Sequence, residues 1–523
     1  MNRNILLSNV KDNPDKIWDV IIIGGGATGL GTAVDAASRG FKTLLLEQAD
    51  FAKGTSSRST KLVHGGVRYL AQGDISLVFE ALHERGLLKQ NAPHLVKDQQ
   101  FVIPIYDWWE GPFYNIGMKV YDMMAGKLGI GPSQKISKEE TLKAIPNLEE
   151  KGLNGGVIYY DGQFDDSRLA INLAQTAVEN GATVLNYAKV TNVLKDENGI
   201  VNGVEIHDVL DGKQFTAQSK VIVNAAGVFV DDICKMDNPN AMAMVKPSQG
   251  VHIVLDKSFL KGKSAIMIPK TSDGRVLFAV PWHNRVIVGT TDTAMNNAEL
   301  EPRALEEEIE FLLKTSAEYL KKDPKRKDVL SIFAGLRPLA ASQNENEKTK
   351  EISRSHKVVV SLSGMITVIG GKWTTYRKMA EDTVDKAILV GGLEENQCVT
   401  KTMPIHGYVK NVNFDEPLYY YGADKIKIQE IIENSKKELK EKLHPNLPYI
   451  KAEVIWTVRR EMVCTVEDFL ARRVRALFLD AKASIEMAPV VAKIIAKELG
   501  KNRRWIREQL KEYTELAKGY LLS

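Results

Sequence analysis

A glycine-rich stretch near the N-terminus, residues 18–47, constrains the fold of this chain more than any other feature. Residues 20–23 form a short apolar run that suits a buried parallel strand. Gly24, Gly26 and Gly29 follow at the G-x-G-x-x-G spacing that opens a nucleotide-binding helix. Gly24 allows a sharp turn, Gly26 lets a pyrophosphate approach the backbone, and Gly29 lets the helix pack closely on the sheet. The stretch therefore predicts a βαβ unit that binds a nucleotide at the helix N-terminus.

Glu47 ends the second predicted strand, about 20 residues beyond the glycines. A carboxylate at that position accepts hydrogen bonds from ribose hydroxyls and repels a 2′-phosphate, which argues against NADP. The spacing does not separate FAD from NAD. Its position at the start of a 523-residue chain is typical of flavoproteins with this fold.

Composition sets limits on the class of protein. With 523 residues, 44% of them hydrophobic, the chain can bury a sizeable core and is expected to form two or three structural units. No run of 18 apolar residues and no signal peptide is found, so export is not expected. The three cysteines are far apart in sequence and lack a C-x-x-C pair, which favours a reducing cytosol and predicts neither a disulfide framework nor a metal site.

A second informative stretch, TSSRSTKLVHGGVRYL, spans residues 55–70 and precedes a predicted amphipathic helix that begins at Ile75. Its polar side chains can hydrogen-bond a flavin ring and an anionic substrate, or they can belong to a solvated loop. The side chains in question are Thr55, Ser56, Ser57, Ser59, Lys61, His64 and Arg68.

The glycine loop and the 55–70 segment together resemble the FAD-dependent glycerol-3-phosphate dehydrogenase family, within the amino-acid-oxidase-like flavoproteins. Five further stretches agree in type and order, so the resemblance covers residues 17–395. They are VNAAGVFVDD (223–232), GVHIVL (250–255), VIVGTTDT (286–293), AGLRPL (334–339) and GGKWTTYRKMAED (370–382).

The resemblance implies FAD as cofactor and glycerol 3-phosphate as substrate. It implies a backbone contact of Val190 with the adenine. The implied cofactor-binding residues are Gly24, Gly26, Ala27, Thr28, Gly29, Glu47, Thr55, Ser56, Ser57, Ser59, Lys61, Leu62, His64, Gly65, Val190, Ala225, Ala226, Gly227, Asp292, Gly335, Gly371, Lys372, Trp373 and Thr374.

Oxidation of a secondary alcohol by FAD moves a hydride from C2 to flavin N5 while a base takes the hydroxyl proton. His252 is the expected base, and a nearby arginine would lower its pKa and keep it neutral. The expected catalytic residues are His252, Arg337 and Lys372, and the expected substrate-binding residues are Arg68, Tyr69, His252, Arg337 and Lys372. A core role for His252, or an internal carboxylate beside Arg337 or Lys372, is the alternative.

The expected fold class is α/β (α+β overall), with a Rossmann-like FAD-binding domain, an antiparallel-sheet substrate cap and a C-terminal helical domain. The predicted limits are 17–100, 150–235 and 335–395 for the FAD-binding domain, 101–149 and 236–334 for the cap, and 400–523 for the helical domain. Locally, we predict a helix over 167–179 capped by Ser167 or Asp166, and hairpin turns at Asn198-Gly199, Asn202-Gly203 and Asp211-Gly212. The aromatic segment 104–146, with Trp108, Trp109, Tyr114 and Tyr121, is expected to pack in a core or domain interface.

The electron acceptor is left open between a quinone and oxygen. The short 292–331 segment favours the quinone-linked type, and a soluble oxygen-using oxidase or an amine or amino-acid oxidase of the same fold is the alternative. A quinone requires peripheral attachment to an anionic membrane surface, here the inner face of the cell membrane in the cytoplasm, and a homodimer is a possible assembly.

Residues 451–523 contain 15 Lys and Arg against 10 Asp and Glu. The charges are mixed at helical spacing, so a solvated helix face explains them and no nucleic-acid partner is expected. Within this region, 490–499 and 502–522 read as amphipathic helices that either pack on each other or lie on lipid. Attachment is expected through them or through another basic apolar surface.

Overall fold

The computed structural model describes residues 1–67, 74–107, 110–269, 271, 275–341, 355–434 and 437–522. Arg68, Tyr69, Trp108 and Trp109 lie outside these described residues.

The strands of the described residues, in chain order, are β1 (Ile17–Ile23), β2 (Thr43–Leu46), β3 (Leu62–Val63), β4 (Val96–Ile105), β5 (Gln134–Ile136), β6 (Gly155–Phe164), β7 (Thr183–Leu185), β8 (Ala188–Lys195), β9 (Val201–Asp208), β10 (Gln214–Asn224), β11 (Val245–Asp256), β12 (Ala265–Ile268), β13 (Leu277–Trp282), β14 (Arg285–Gly289), β15 (Thr293–Ala294), β16 (Val329–Ala340), β17 (Lys357–Val360) and β18 (Ile366–Ile369).

The α-helices are α1 (Arg3–Lys11), α2 (Ala27–Ser38), α3 (Ile75–Asn91), α4 (Glu110–Ala125), α5 (Lys138–Ala144), α6 (Asp166–Glu179), α7 (Val230–Asp237), α8 (Glu306–Tyr319), α9 (Tyr376–Gly391), α10 (Lys425–Glu433), α11 (Lys451–Arg460), α12 (Ala476–Leu479), α13 (Ala481–Glu498) and α14 (Arg503–Lys518). A π-helical turn, Asp468–Arg473, precedes α12.

The first sheet carries the nucleotide-binding unit. Its path runs β17-β18-β10-β1-β2-β7, with β8 and β9 attached beside β10. β1 pairs in parallel with β2 and β10, and β18 continues the parallel set. Every residue of β2 is buried, as expected for an apolar strand between helical layers. The predicted strand, helix and second strand of the N-terminal unit are confirmed as β1, α2 and β2.

The second sheet is largely antiparallel and follows the path β15-β11-β14-β13-β12-β4-β6-β3, with β16 beside β11 and β5 beside β6. β11 and β16 run together from the Val245 and Ala340 pair to the Leu255 and Val329 pair. The pairing of β12 with β4 is parallel. The sheet also includes β3 and β6, which the sequence predicts to belong to the FAD-binding segments. The expected fold class, a Rossmann-like domain with an antiparallel sheet and a C-terminal helical region, is confirmed.

The C-terminal helices share one apolar core with the first sheet, because Trp456, Phe469 and Phe478 belong to the same buried cluster as Leu45. Buried ion pairs reinforce this contact. Asp50, which follows β2, lies 2.5 Å from Arg472 and 2.7 Å from Arg473. Burial alone would raise the pKa of Asp50, but the two guanidinium groups outweigh burial and hold that pKa well below its usual range.

Two local predictions need correction. The helix α6 is capped by Asp165, whose carboxylate accepts a hydrogen bond from the Arg168 backbone amide, and Asp166 is already its first residue. Gly203 lies inside β9, paired with Leu194 and Gln218, so the Asn202-Gly203 dipeptide forms no hairpin turn. Strand partners on both sides override its turn propensity.

The other two predicted turns join β8 to β9 and β9 to β10. Of the predicted aromatic core residues that the structure describes, Tyr121 is buried and Tyr114 packs at the edge of the same apolar cluster.

The apolar faces of α13 and α14 are covered by protein. Val491 and Ile495 of α13 are fully buried, and Tyr513 and Ala517 of α14 are at most 2% exposed. The Tyr513 hydroxyl hydrogen-bonds Ser484 across the two helices. These helices therefore pack on each other and do not offer their apolar faces to lipid. Among the described helices, none combines the length and apolar character needed to cross a membrane.

A partly buried histidine connects the C-terminal region to α6. His406 Nδ1 lies 2.6 Å from Glu179 Oε1, and its Nε2 lies 2.7 Å from Asp424 Oδ2. Burial lowers the pKa of His406, but the hydrogen bonds to the two carboxylates outweigh burial and raise the pKa to about 9. This raised pKa means that the charged imidazole stabilises the fold below the unfolded pKa of about 6.5. That contribution is lost as pH rises through the folded pKa.

We expect His406→Gln to lower the free energy of unfolding most near pH 6, with the deficit shrinking as pH rises from about 6.5 to about 9, because only the charged imidazole pairs with both carboxylates. Urea unfolding of wild type and variant across this range measures the difference. His83→Gln, at an exposed histidine, controls for loss of an imidazole. A deficit that is equal at every pH would contradict this account.

Candidate active site

A cavity of about 780 Å³ is lined by residues of both sheets. It brings together most of the residues predicted from sequence. Those that line it are Gly24, Gly26, Ala27, Thr28, Glu47, Thr55, Ser56, Ser59, Leu62, His64, Val190, Ala225, Ala226, Gly227, His252, Asp292, Gly335, Arg337, Gly371, Lys372, Trp373 and Thr374.

The glycine loop forms one end of the cavity. Gly24 has φ +114°, and a Cβ there would lie 2.5 Å from the Ala225 carbonyl oxygen. A Cβ on Gly29 would lie 1.9 Å from the Gly24 carbonyl oxygen, so α2 can approach the loop only with glycine at this position. Gly26 is the N-cap of α2 and has no side chain to fill the cavity at the helix N-terminus. The positive end of the helix dipole therefore faces the space in which an anion can bind.

Glu47 lies beside this helix end. Its carboxylate accepts hydrogen bonds from the backbone amides of Gly25, at 2.6 Å, and Ala49, at 2.8 Å. Burial raises the pKa of Glu47, and these two hydrogen bonds oppose that rise. Each carboxylate oxygen has a second lone pair, so Glu47 can still accept a hydroxyl from a bound group.

Residues 55–70 are called the polar segment. Its first part, 55–64, connects the motifs that surround the cavity. Ser56 Oγ accepts a hydrogen bond from the Ala27 amide at 2.9 Å, and the Ser56 carbonyl accepts one from Trp373 Nε1 at 2.8 Å. Thr55 Oγ1 donates to the Leu336 carbonyl at 2.5 Å. Segments far apart in sequence are thus fixed to one short stretch, which is a packed element and not a solvated loop.

His252 lies on β11 with only 2% of its surface exposed. Its Nε2 is 2.9 Å from Thr60 Oγ1, and its ring stacks on Phe333 with 4.9 Å between ring centres. Within the described part of the chain, Nδ1 is buried and has no hydrogen-bond partner. Burial lowers the pKa of His252 well below its ordinary value, and the charges of Lys61 and Arg337 lower it further. The imidazole is therefore neutral at pH 7 and able to accept a proton.

Arg337, on β16, is held from several sides. One Nη atom donates to Thr290 Oγ1 at 2.7 Å and to the Thr291 carbonyl at 3.0 Å, while the other lies 3.8 Å from Asp292 Oδ1. A Cβ on Gly250 would lie 2.3 Å from the guanidinium, which explains glycine there. Asp292 is thus the internal carboxylate that was considered as an alternative partner of Arg337, at the long distance of 3.8 Å. The side chain retains 20% exposure and lines the cavity, so it can also contact a bound anion.

Five other Lys and Arg residues among those described line the same cavity: Lys53, Arg58, Lys189, Arg275 and Lys372. Lys372 is the expected one, so Arg337 and Lys372 converge as predicted. Arg275 lies outside every recognised motif, and no signal in the sequence distinguishes it; its guanidinium packs over the Phe311 ring at 5.0 Å. Arg58 and Thr60 also line the cavity. They lie within the polar segment, but only their neighbours were predicted to be site residues.

Of the predicted residues that the structure describes, four do not line the cavity: Gly29, Ser57, Lys61 and Gly65. The Lys61 ammonium is fully buried, 2.6 Å from Asp166 Oδ2 and 2.6 Å from the Ser57 carbonyl. Burial lowers the pKa of Lys61 to about 7, although Asp166 opposes this shift. Its charge is therefore satisfied inside the protein, which corrects the expectation that this side chain faces the ligand. Gly29 and Gly65 serve close packing instead.

The arrangement combines two chemical functions. The glycine loop and the α2 N-terminus can hold the phosphates of a dinucleotide. In the same cavity, a buried neutral imidazole lies near cations that can bind an anion. This combination suits removal of a proton from the hydroxyl of a small anionic substrate beside a bound cofactor.

Two family models match the chain. The model described as FAD dependent oxidoreductase matches residues 19–377, and the model described as C-terminal domain of alpha-glycerophosphate oxidase matches residues 365–505.

Relatives agree with these models. The chain is 40% identical to the probable mitochondrial glycerol-3-phosphate dehydrogenase of Caenorhabditis elegans, over 98% of this chain and 74% of the relative. The glycerol-3-phosphate dehydrogenase of Bacillus halodurans, solved in complex with FAD, is 31% identical with a TM-score of 0.80, covering 99% of this chain and 97% of that one. The L-alpha-glycerophosphate oxidase of Mycoplasma pneumoniae, at 20% identity and a TM-score of 0.57, covers 73% and 96% and shares the fold.

The cofactor is FAD, and the residues present fit it. The glycine loop leaves open a cradle that a Cβ on Gly26 would narrow, 3.0 Å from Ser56 Oγ. Glu47, Val190 and the small residues 225–227 line the same cavity. Its volume lies within the range of about 300–1,000 Å³ common for small-molecule and cofactor sites.

We expect Gly29→Ala to weaken FAD binding about tenfold or more, because forcing extra atoms into a packed site costs about 1–3 kcal/mol and here pushes α2 away from the loop. The flavin-to-protein absorbance ratio of the purified variant, and its recovery on titration with FAD, measure the loss. Gly117→Ala is the matched control, since a Cβ on Gly117 meets no atom within 4 Å. Full FAD occupancy in the Gly29 variant would show that close packing there is dispensable.

Proposed function

This chain belongs to the FAD-dependent glycerol-3-phosphate dehydrogenase family, and from that premise we propose that it oxidises sn-glycerol 3-phosphate to dihydroxyacetone phosphate and passes the electrons to a membrane quinone. The observation that carries the proposal is the placement of a neutral, buried His252 in one cavity with Arg337 and Lys372. That cavity also holds the glycine loop expected to bind FAD.

FAD, when bound, supplies the two-electron acceptor for the alcohol carbon. The residues proposed to hold it are the glycine loop with the α2 N-terminus, Glu47, Val190 and the polar segment. Ser56 fixes that segment to the glycine loop by accepting a hydrogen bond from the Ala27 amide, and to Trp373 by accepting one from its indole N–H. The protein thereby provides a rigid wall, and orientation of the reactants is a large part of what it contributes to the rate.

The substrate phosphate is proposed to contact Arg337 and Lys372, with Arg275 as a third cation. A phosphate dianion favours several cations in a partly buried pocket, where charge-assisted hydrogen bonds are stronger than in water. Thr290, Thr291 and Asp292 hold the Arg337 guanidinium before substrate arrives. Such preorganisation reduces the ordering that binding requires.

His252 is proposed to take the hydroxyl proton at Nε2, the nitrogen that lies beside Thr60. Nδ1 is buried and therefore poorly placed to meet substrate. The depressed pKa of His252 makes it a weak base in the free protein. A phosphate dianion nearby would raise that pKa, since opposite charge stabilises the imidazolium, so substrate binding itself makes proton transfer easier.

For the electron acceptor, we favour a quinone over oxygen. Sequence relatives that cover nearly the whole chain are named dehydrogenases, whereas the oxidase of known structure is similar at the level of fold and an oxidase-named family model matches residues 365–505. A quinone acceptor implies a peripheral site on the membrane, proposed to be the inner face of the cell membrane. Rapid peroxide formation in air, without quinone reduction, would identify an oxidase instead.

We expect glycerol 3-phosphate to bleach the bound flavin without oxygen, and glycerol to bleach it poorly because the cations lack their anion. His252→Gln should slow the reduction by roughly 10²–10⁴-fold with little change in substrate affinity. Arg337→Ala should weaken affinity about 10–100-fold, since hydrogen bonds to charged groups contribute about 1.5–3 kcal/mol. Stopped-flow absorbance against substrate concentration separates the two effects.

Arg504→Ala is the control for loss of a cation, because the Arg504 side chain is 80% exposed on α14. If His252→Gln reduces the flavin at the wild-type rate, His252 is not the base. If glycerol and glycerol 3-phosphate behave alike, the proposed substrate is wrong.

A further inference from the structure

The helix α4 exposes an apolar face. On α4, the side chains of Phe113, Ile116, Val120 and Met123 are 59%, 65%, 41% and 79% exposed. Their spacing of three and four residues places them on one side of the helix. We call these four residues the α4 ridge.

The opposite side of α4 is apolar as well. Met118 and Tyr121 are each 1% exposed and pack in a buried cluster. A helix that rests on a protein surface normally turns polar residues outward, so a helix that is apolar on two sides has an apolar partner on each. Among the described residues, the protein supplies only the inner partner.

The ridge is part of a wider patch. α3 packs beside α4, and it exposes Ile75 and Phe79 by 61% and 58%. We call the α4 ridge with Ile75 and Phe79 the apolar patch. Exposed apolar side chains concentrated on two neighbouring helices indicate a contact site for a protein or a membrane.

The charges beside the patch favour a membrane. Within 113–133, the exposed charged side chains are Lys119 and Lys127, while the carboxylates next to Ile75 and Phe79, those of Asp74 and Glu80, are only partly exposed. Asp122 is partly buried, and its carboxylate accepts a hydrogen bond from the Ser133 amide at 2.5 Å. Long cationic side chains can lie along an apolar surface and place their ammonium groups among anionic headgroups.

The inner side of α4 leads to the active-site cavity. Met118 and Tyr121 belong to the same apolar cluster as Phe101, Tyr159 and Met267, and the last three line the cavity. The side chains of this cluster therefore form an apolar connection between patch and cavity, apart from the Tyr121 hydroxyl, which donates a hydrogen bond to Asp161 in the cavity wall. A quinone, which resides in the bilayer core, would need such a route.

We infer that the apolar patch inserts into the surface of an anionic lipid bilayer and turns this wall of the cavity towards the membrane. The inference rests on the proposed quinone-linked function and names the surface through which that function reaches its acceptor. It also replaces α13 and α14 as the attachment site, since their apolar faces are covered by protein.

The test uses the full-length FAD-loaded protein and vesicles of phosphatidylcholine with phosphatidylglycerol. The patch variant is Ile116→Ser with Met123→Ser. The control variant is Leu389→Ser with Ile426→Ser, two residues that are 75% and 62% exposed outside the patch. Flotation should show binding of wild type and control, and a loss of about tenfold or more in the patch variant, because binding scales with buried apolar area.

Anaerobic bleaching by glycerol 3-phosphate in solution should be equal in all three proteins, which shows that the patch variant is folded. Reduction of a quinone embedded in the vesicles should fail in the patch variant alone. Equal flotation of the patch variant and wild type would overturn the inference. So would a patch variant that changes only from dimer to monomer while no protein floats, since the patch would then be an interface between copies.

The two proposals fail separately. Patch-dependent flotation without bleaching by glycerol 3-phosphate would leave the docking surface supported and refute the proposed substrate. Bleaching by glycerol 3-phosphate without any flotation would support the proposed substrate and refute the docking surface.

Discussion

The buried ammonium of Lys61 is the interaction on which the site depends. It bonds Asp166 at the start of α6 and the Ser57 carbonyl, and Arg475 bonds the same two groups at 3.1 Å and 3.0 Å. Charges buried this deeply are stable only when every partner stays in place. The polar segment, α6 and the C-terminal region are thus fixed to one another. The C-terminal helices therefore support the active site, although none of their described residues lines the cavity.

From that fixed position the polar segment determines the geometry around the cavity. Thr60 places a hydroxyl on His252 Nε2, and Ser56 connects the glycine loop to Trp373. The same buried cation acts on the chemistry, because the Lys61 charge is one reason for the low pKa of His252. Lys61, which was predicted to contact the ligand, therefore affects the site without lining the cavity.

Features that depend on local sequence were the ones that could be predicted. The βαβ unit and the glycine roles follow from a short motif whose spacing has a direct structural meaning, whereas the convergence of Arg337 with Lys372 was expected from the family resemblance. Features that depend on distant partners were not predictable. Nothing near Lys61 indicates Asp166, nothing near Arg275 indicates the cavity, and the turn propensity of Asn202-Gly203 yields to its neighbouring strands. The apolar faces of α13 and α14 are visible in sequence, but the sequence does not show whether protein or lipid covers them.

The cavity connects the two parts of the proposed reaction, oxidation of the substrate and electron transfer to a quinone. Cations and a neutral imidazole receive the anionic substrate at one part of the cavity, while an apolar wall continues towards α4 and the exposed patch. The polar and apolar parts are both built on the second sheet, and the glycine loop of the first sheet completes the cavity between them.

The central claim is that His252 and Arg337 meet the substrate in one cavity with FAD. A crystal structure of the FAD-loaded protein with glycerol 3-phosphate tests it most directly. The account predicts the phosphate within hydrogen-bond distance, about 3 Å, of the Arg337 guanidinium and Lys372, and the C2 hydroxyl at the same distance from His252 Nε2. A phosphate bound elsewhere, or a C2 hydroxyl that contacts no atom of His252, would contradict it.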